Sequence, residues 1–139
     1  MTTTPSSPNI LVVTRFELAF RAGDHATMDE LADPSFHDHN APDGDPSLAN
    51  FKKKVAGMVS IFSDLHEDLQ DIVADGDTVA TRWMLTGRQQ AEFMGVPPSG
   101  QAIRIEGMNF YRVKNGLVTD TWTQFDGVAL MQQVGALPS

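Results

Sequence analysis

The chain of 139 residues contains no cysteine, which excludes disulfide staples, thiolate metal sites and thiol nucleophiles. Positive charge is scarce too: 10 Lys and Arg stand against 18 Asp and Glu, a net charge of −8. That balance opposes a phosphate backbone, so no nucleic-acid partner is expected, and a small neutral or cationic ligand fits the overall charge better. No apolar run approaches the ~18–20 residues needed to span a bilayer, so no membrane partner is expected either. The opening MTTTPSSPN lacks the basic and apolar regions of a signal peptide and reads as a disordered tail over residues 1–8. With the absence of cysteine, this fits a cytoplasmic protein. No repeat or linker interrupts the remainder, and residues 9–136 are expected to form one domain around one core.

The most informative stretch is GMNFYRVKNGLVTDTWTQFD, residues 107–126. It reads as two long strands joined by a turn at Lys114-Asn115-Gly116, where Asn-Gly supplies the positive φ a tight hairpin needs. The first strand alternates: Ile103, Ile105, Gly107, Asn109 and Tyr111 on one face, and Arg104, Glu106, Met108, Phe110 and Arg112 on the other. A second hairpin pairs Leu65–Val73 with Thr78–Arg88 around Asp75-Gly76. Ahead of these, apolar spacing predicts helices over Pro8–Ala22, His25–Ala32 and about Ser47–Phe62, and Gly127–Val134 can add a last turn or two. Phe36–His39 reads as a short extended piece and Met94–Gly100 as a loop. Three helices followed by four antiparallel strands imply an α+β domain, helices packed over a curved sheet around a cone-shaped cavity.

Several of these pieces together resemble the SnoaL-like polyketide cyclases of the nuclear transport factor 2-like, or ketosteroid-isomerase-like, superfamily. They include AspHisAsn at 38–40, AspIleValAlaAspGlyAspThrValAlaThrArgTrp at 71–83, GluPheMetGlyValProProSerGly at 92–100 and LeuMetGlnGlnValGly at 130–135. The resemblance implies a cofactor-independent domain that binds a hydrophobic small molecule and forms a homodimer through the convex face of its sheet. The family's cyclases close an aromatic polyketide ring by aldol condensation, which takes a base and donors that hold an enolate. In the resemblance, the acid/base aspartate follows the strand's tryptophan, where this chain has Thr123 after Trp122, and a histidine stands where it has Asn109. Neither Thr123 nor Asn109 titrates near neutral pH.

The catalytic candidates are therefore His39, Asn109 and Thr123. The His39 imidazole can act as acid or base near neutrality; its structural alternative is to tie down the neighbouring loop. Asn109 and Thr123 either hold a substrate oxygen or satisfy each other. Asp126 is a weaker catalytic candidate, because an aspartate before Gly-Val-Ala-Leu-Met also reads as a helix cap. Trp83, Phe16, Phe93 and Tyr111 are candidates for stacking on a flat ligand, and Gln89 for a hydrogen bond to it; core packing and internal pairing are their alternatives. His37 and His39 share a strand face at a spacing that can chelate zinc, but no third or fourth ligand is evident, so no metal is expected.

Overall fold

The computed structural model describes residues 7–138. Of the expected tail, residues 1–6 lie outside the described residues, whereas Ser7 and Pro8 already belong to the first helix. Ser7 caps α1 (Pro8–Ala22), accepting the Asn9 N–H, and Gly23 ends it in the left-handed region at φ 70°. Asp24 caps α2 (His25–Leu31), and Ser47 caps α3 (Leu48–Ile61). The strands are β1 (Ala32–Asp38), β2 (Phe62–Asp75), β3 (Thr78–Gln89), β4 (Ala102–Lys114) and β5 (Leu117–Phe125), followed by α4 (Gly127–Val134).

The five strands form one open sheet in the order β1-β5-β4-β3-β2. All neighbours are antiparallel except β1, which runs parallel to β5. This corrects the four-strand, all-antiparallel expectation: Phe36–Asp38 of the expected extended piece end a seven-residue strand, His39 falls in the turn after it, and β2 begins three residues earlier than the hairpin pattern marks. A parallel partner eighty residues away leaves no local trace. Bulges in β2 and β5 bend the sheet. The bulge after Val118 lets both Val118 and Thr121 point inward, which sets Thr121, Thr123 and Phe125 opposite Tyr111, Asn109 and Gly107.

Along β4 burial alternates without a break, and the inward face is the one the sequence assigns. Two apolar clusters fill that face. One joins Phe16, Phe20, Met28, Phe36 and Phe51 to Tyr111 and Val113; the other joins Phe62, Ile103 and Ile105 to Leu130 and Val134 of α4. The space between the clusters is the cavity.

Candidate active site

A cavity of about 380 Å³ opens between α1, α3 and the concave face of the sheet. Phe20, Phe51, Met58, Ile61, Leu85 and Ile105 make its apolar walls. Trp83 forms part of the sheet side, and its placement depends on Gly107. The two are register partners on β3 and β4, and a Cβ at position 107 would collide with the indole ring. Freed to lie across β4, the ring donates from Nε1 to Asn109 Oδ1 at 2.8 Å.

Asn109 is buried and fully used. Its amide nitrogen donates to Thr123 Oγ at 2.7 Å and to Thr121 Oγ at 3.2 Å. Both amide hydrogens are thus engaged, and Thr123, which accepts through oxygen, keeps its hydroxyl hydrogen for a ligand. The Thr123 backbone N–H donates to Asn40 Oδ1 at 2.7 Å, which leaves the Asn40 side-chain nitrogen without a partner among the described residues. Asn40 is itself tied down, its backbone N–H donating to Asp38 Oδ1 at 3.1 Å.

Two cations complete the lining. Arg21 donates from Nε to Glu67 Oε1 at 3.1 Å and holds Nη2 at the same distance in an ion pair, with its guanidinium 4.6 Å from the Phe20 ring centre and 5.1 Å from that of Trp83. Lys54 Nζ donates to Asp38 Oδ2 at 2.7 Å. No histidine or carboxylate lines the cavity among the described residues.

One rung deeper, α1 sets a buried acid, Glu17, against the same sheet face. Its Oε1 accepts from Tyr111 Oη at 2.7 Å and Thr81 Oγ at 2.9 Å, while Oε2 has no partner among the described residues. Burial, then the neighbouring Glu67 charge, pushes the Glu17 carboxyl up to about 7, against the lowering effect of the Tyr111 and Thr81 hydrogen bonds.

Of the residues singled out from sequence, the fold brings Trp83, Asn109 and Thr123 together. It does not bring His39 to them. β1 ends with Asp38 pointing inward, and in the turn that follows Asn40 reaches the cavity while His39 lies on the opposite face, where it stacks on Trp122 with ring centres 4.1 Å apart and bonds Asp120 at 2.8 Å. Burial works to raise the Asp120 carboxyl, but the His39 and Thr119 hydrogen bonds outweigh it and hold the group below its usual value. Phe16 and Tyr111 are wholly buried core residues. Phe93 packs edge-on against Phe62, and Gln89 pins the following loop by donating to the carbonyls of Ala91, Val96 and Pro97. Asp126 caps α4, accepting from the Ala129 N–H at 3.0 Å. His37 and His39 lie 4.4 Å apart, ring centre to ring centre, but no group of three or more ligands suited to a metal occurs among the described residues.

Sequence reasoning missed Arg21, Asn40 and Lys54. For Lys54 a signal existed. Phe51, Lys54, Val55 and Met58 follow i, i+3, i+4, i+7 spacing, so one member of the Lys52–Lys54 run falls inside the apolar stripe.

Helices closing one face of a curved, unclosed sheet over such a cavity define the nuclear transport factor 2-like cone fold. Within it, the chain belongs to the SnoaL-like polyketide cyclase family, whose model matches residues 10–134. Among solved structures, IdmH of Streptomyces antibioticus, described as a candidate polyketide cyclase, shares 32% identity over 91% of this chain and 98% of its own, with a TM-score of 0.82. AclR of Streptomyces galilaeus, described as a candidate hydroxylase, shares 27% identity over 94% of this chain and 83% of its own at 0.83. TsrD of Streptomyces laurentii, at 24% identity, covers 97% of this chain and 100% of its own with a TM-score of 0.84, a likeness of fold. A search of curated protein sequences finds no significant match.

Proposed function

We propose that this protein is a small cofactor-independent enzyme acting on a hydrophobic polycyclic or aromatic polyketide-type carbonyl compound, by aldol ring closure or by accessory hydroxylation with dioxygen. The observation that carries the reading is the apolar cavity that keeps unspent side-chain donors at Thr123 and Asn40. An enolate or phenolate oxygen seated against Thr123 Oγ and the Asn40 amide gains hydrogen bonds that strengthen as charge develops. Asn109 acts through others: it fixes the Thr123 hydroxyl and the Trp83 ring. With no histidine or carboxylate lining the cavity among the described residues, the proton leaving the carbon acid passes to water or to an oxygen of the substrate. His39, on the other face, has no part in this chemistry.

The test is product analysis after incubating the protein with an aromatic poly-β-carbonyl compound, as the free acid and as its ester. Ring closure gives a product isomeric with the substrate or lighter by one water; oxygenation, in which the substrate itself supplies the two electrons that take the second atom of dioxygen to water, adds one oxygen atom and removes two hydrogens. Failure of Thr123→Val to slow turnover would contradict the oxyanion role. A second reading, a non-catalytic ligand-binding or dimerisation module, is favoured by the missing acid/base, and saturable binding without any product would select its ligand-binding form.

The same reading includes a homodimer through the convex sheet face. Met108 and Phe110 are 59% and 55% exposed there, beside Trp122, an apolar patch of the kind that marks an interface. Sedimentation is expected to give a dimer that Phe110→Glu converts to monomer; a monomeric parent protein would contradict it.

A further inference from the structure

Arg21 and Lys54 enter the cavity from different helices, and each is bonded to a carboxylate that does not itself line it. The Glu67 and Asp38 side chains are 4% and 1% exposed, against 20% and 35% for their cationic partners. The negative poles are therefore buried behind the wall, and the positive poles face the space a ligand would occupy.

The hydrogen-bond ledger points the same way. Arg21 Nη1 has no partner among the described residues, while Nε donates to Glu67 and Nη2 lies in ion-pair contact with it. Lys54 spends one ammonium hydrogen on Asp38. Thr123 retains its hydroxyl hydrogen and Asn40 its amide nitrogen. Each side-chain amide oxygen already accepts one hydrogen bond: Asn109 Oδ1 from Trp83 and Asn40 Oδ1 from the Thr123 N–H. A neutral apolar ligand that expelled the water would leave these donors unpaired. An anionic oxygen pair would satisfy them.

We infer that the ligand of this cavity carries an ionised carboxylate in place of a neutral ester, and that Arg21 selects it. The inference rests on the small-molecule reading above. The guanidinium is held by Glu67 on one edge and by the faces of Phe20 and Trp83, so its remaining edge is pre-set for a planar carboxylate. Lys54 supplies a second, more mobile charge from across the cavity. The net charge of −8 does not oppose this, because exposed charges more than ~8–10 Å away are largely screened at physiological salt. The preference expected from overall charge, for a neutral or cationic ligand, is thus reversed at the site.

The experiment is a fluorescence titration of the intact protein, at pH 7, with anthracene-2-carboxylate and with its methyl ester. The acid should bind at least ~10-fold more tightly than the ester. Arg21→Met should bring the acid down to the level of the ester. Glu67→Gln, which keeps an acceptor for the guanidinium but removes the charge that neutralises it, should tighten acid binding and leave the ester unchanged, a gain that misfolding cannot imitate. Equal or tighter binding of the ester, a preference that survives Arg21→Met, or no gain with Glu67→Gln would overturn the inference and leave the small-molecule reading standing. Failure of both probes to bind would take down both.

Discussion

Trp83 can lie across β4 because its register partner, Gly107, has no side chain, and its indole N–H then fixes Asn109, which fixes Thr123. Three of the residues that a reader of the sequence would circle are therefore links in one chain of orientation, and a glycine that attracts no attention permits it. Gly107→Ala is expected to push the indole off β4, costing about 1–3 kcal/mol and weakening ligand binding together with the Asn109–Trp83 hydrogen bond. Thermal melting and ligand titration check it; a variant with the parent's stability and affinity would contradict the packing account. The sequence shows the alternation that puts Gly107, Asn109 and Tyr111 on one face. It does not show that Tyr111 is spent on Glu17, because the two meet only when α1 lies on the sheet. A buried glutamate on a helix carries no mark in the chain.

At the scale of elements, the helices and hairpins were legible because their determinants are local: Ser47 and Asp24 as caps, Asn115-Gly116 at the β4–β5 turn, unbroken alternation along β4. What was not legible is β1. Its pairing with β5 is parallel and distant, and it decides the fate of the Asp38-His39-Asn40 run. Docked against β5, the run sends Asp38 and Asn40 inward and leaves His39 on Trp122, so the residue that looked most chemical is turned away from the cavity. The end of β5 offers the converse case. Asp126 is a carboxylate close to the site, yet its side chain is engaged at the start of α4. Asp126→Ala should cost about 1 kcal/mol, as loss of a helix cap does, and leave ligand affinity unchanged. A large loss of affinity with normal stability would instead make it part of the binding machinery.

At the scale of the whole molecule, a carboxyl shut between α1 and the sheet couples stability to pH. The Glu17 pKa rises from 4.5 to about 7 in the fold, so between those values the folded state holds a proton that the unfolded chain has released. Stability from this group is full below pH 4.5 and is lost as pH rises through about 7. At 1.36 kcal/mol per unit the shift corresponds to at most about 3 kcal/mol. Glu17→Gln should flatten the melting temperature between pH 5 and 8 and raise it at the upper end; a variant with the parent's pH dependence would show that Glu17 is not the group responsible. The two tryptophans report separately on the two faces of the sheet, Trp83 in the cavity and Trp122 on the convex side. Titrating Trp122→Phe, with Trp83 as its sole tryptophan, against a hydroxyanthraquinone asks whether a flat aromatic ligand enters the cavity. Saturable quenching of Trp83, lost when Gly107→Ala is added, is the predicted result. No saturable quenching, or quenching seen only in a Trp83→Phe protein that retains Trp122, would contradict the cavity as the site.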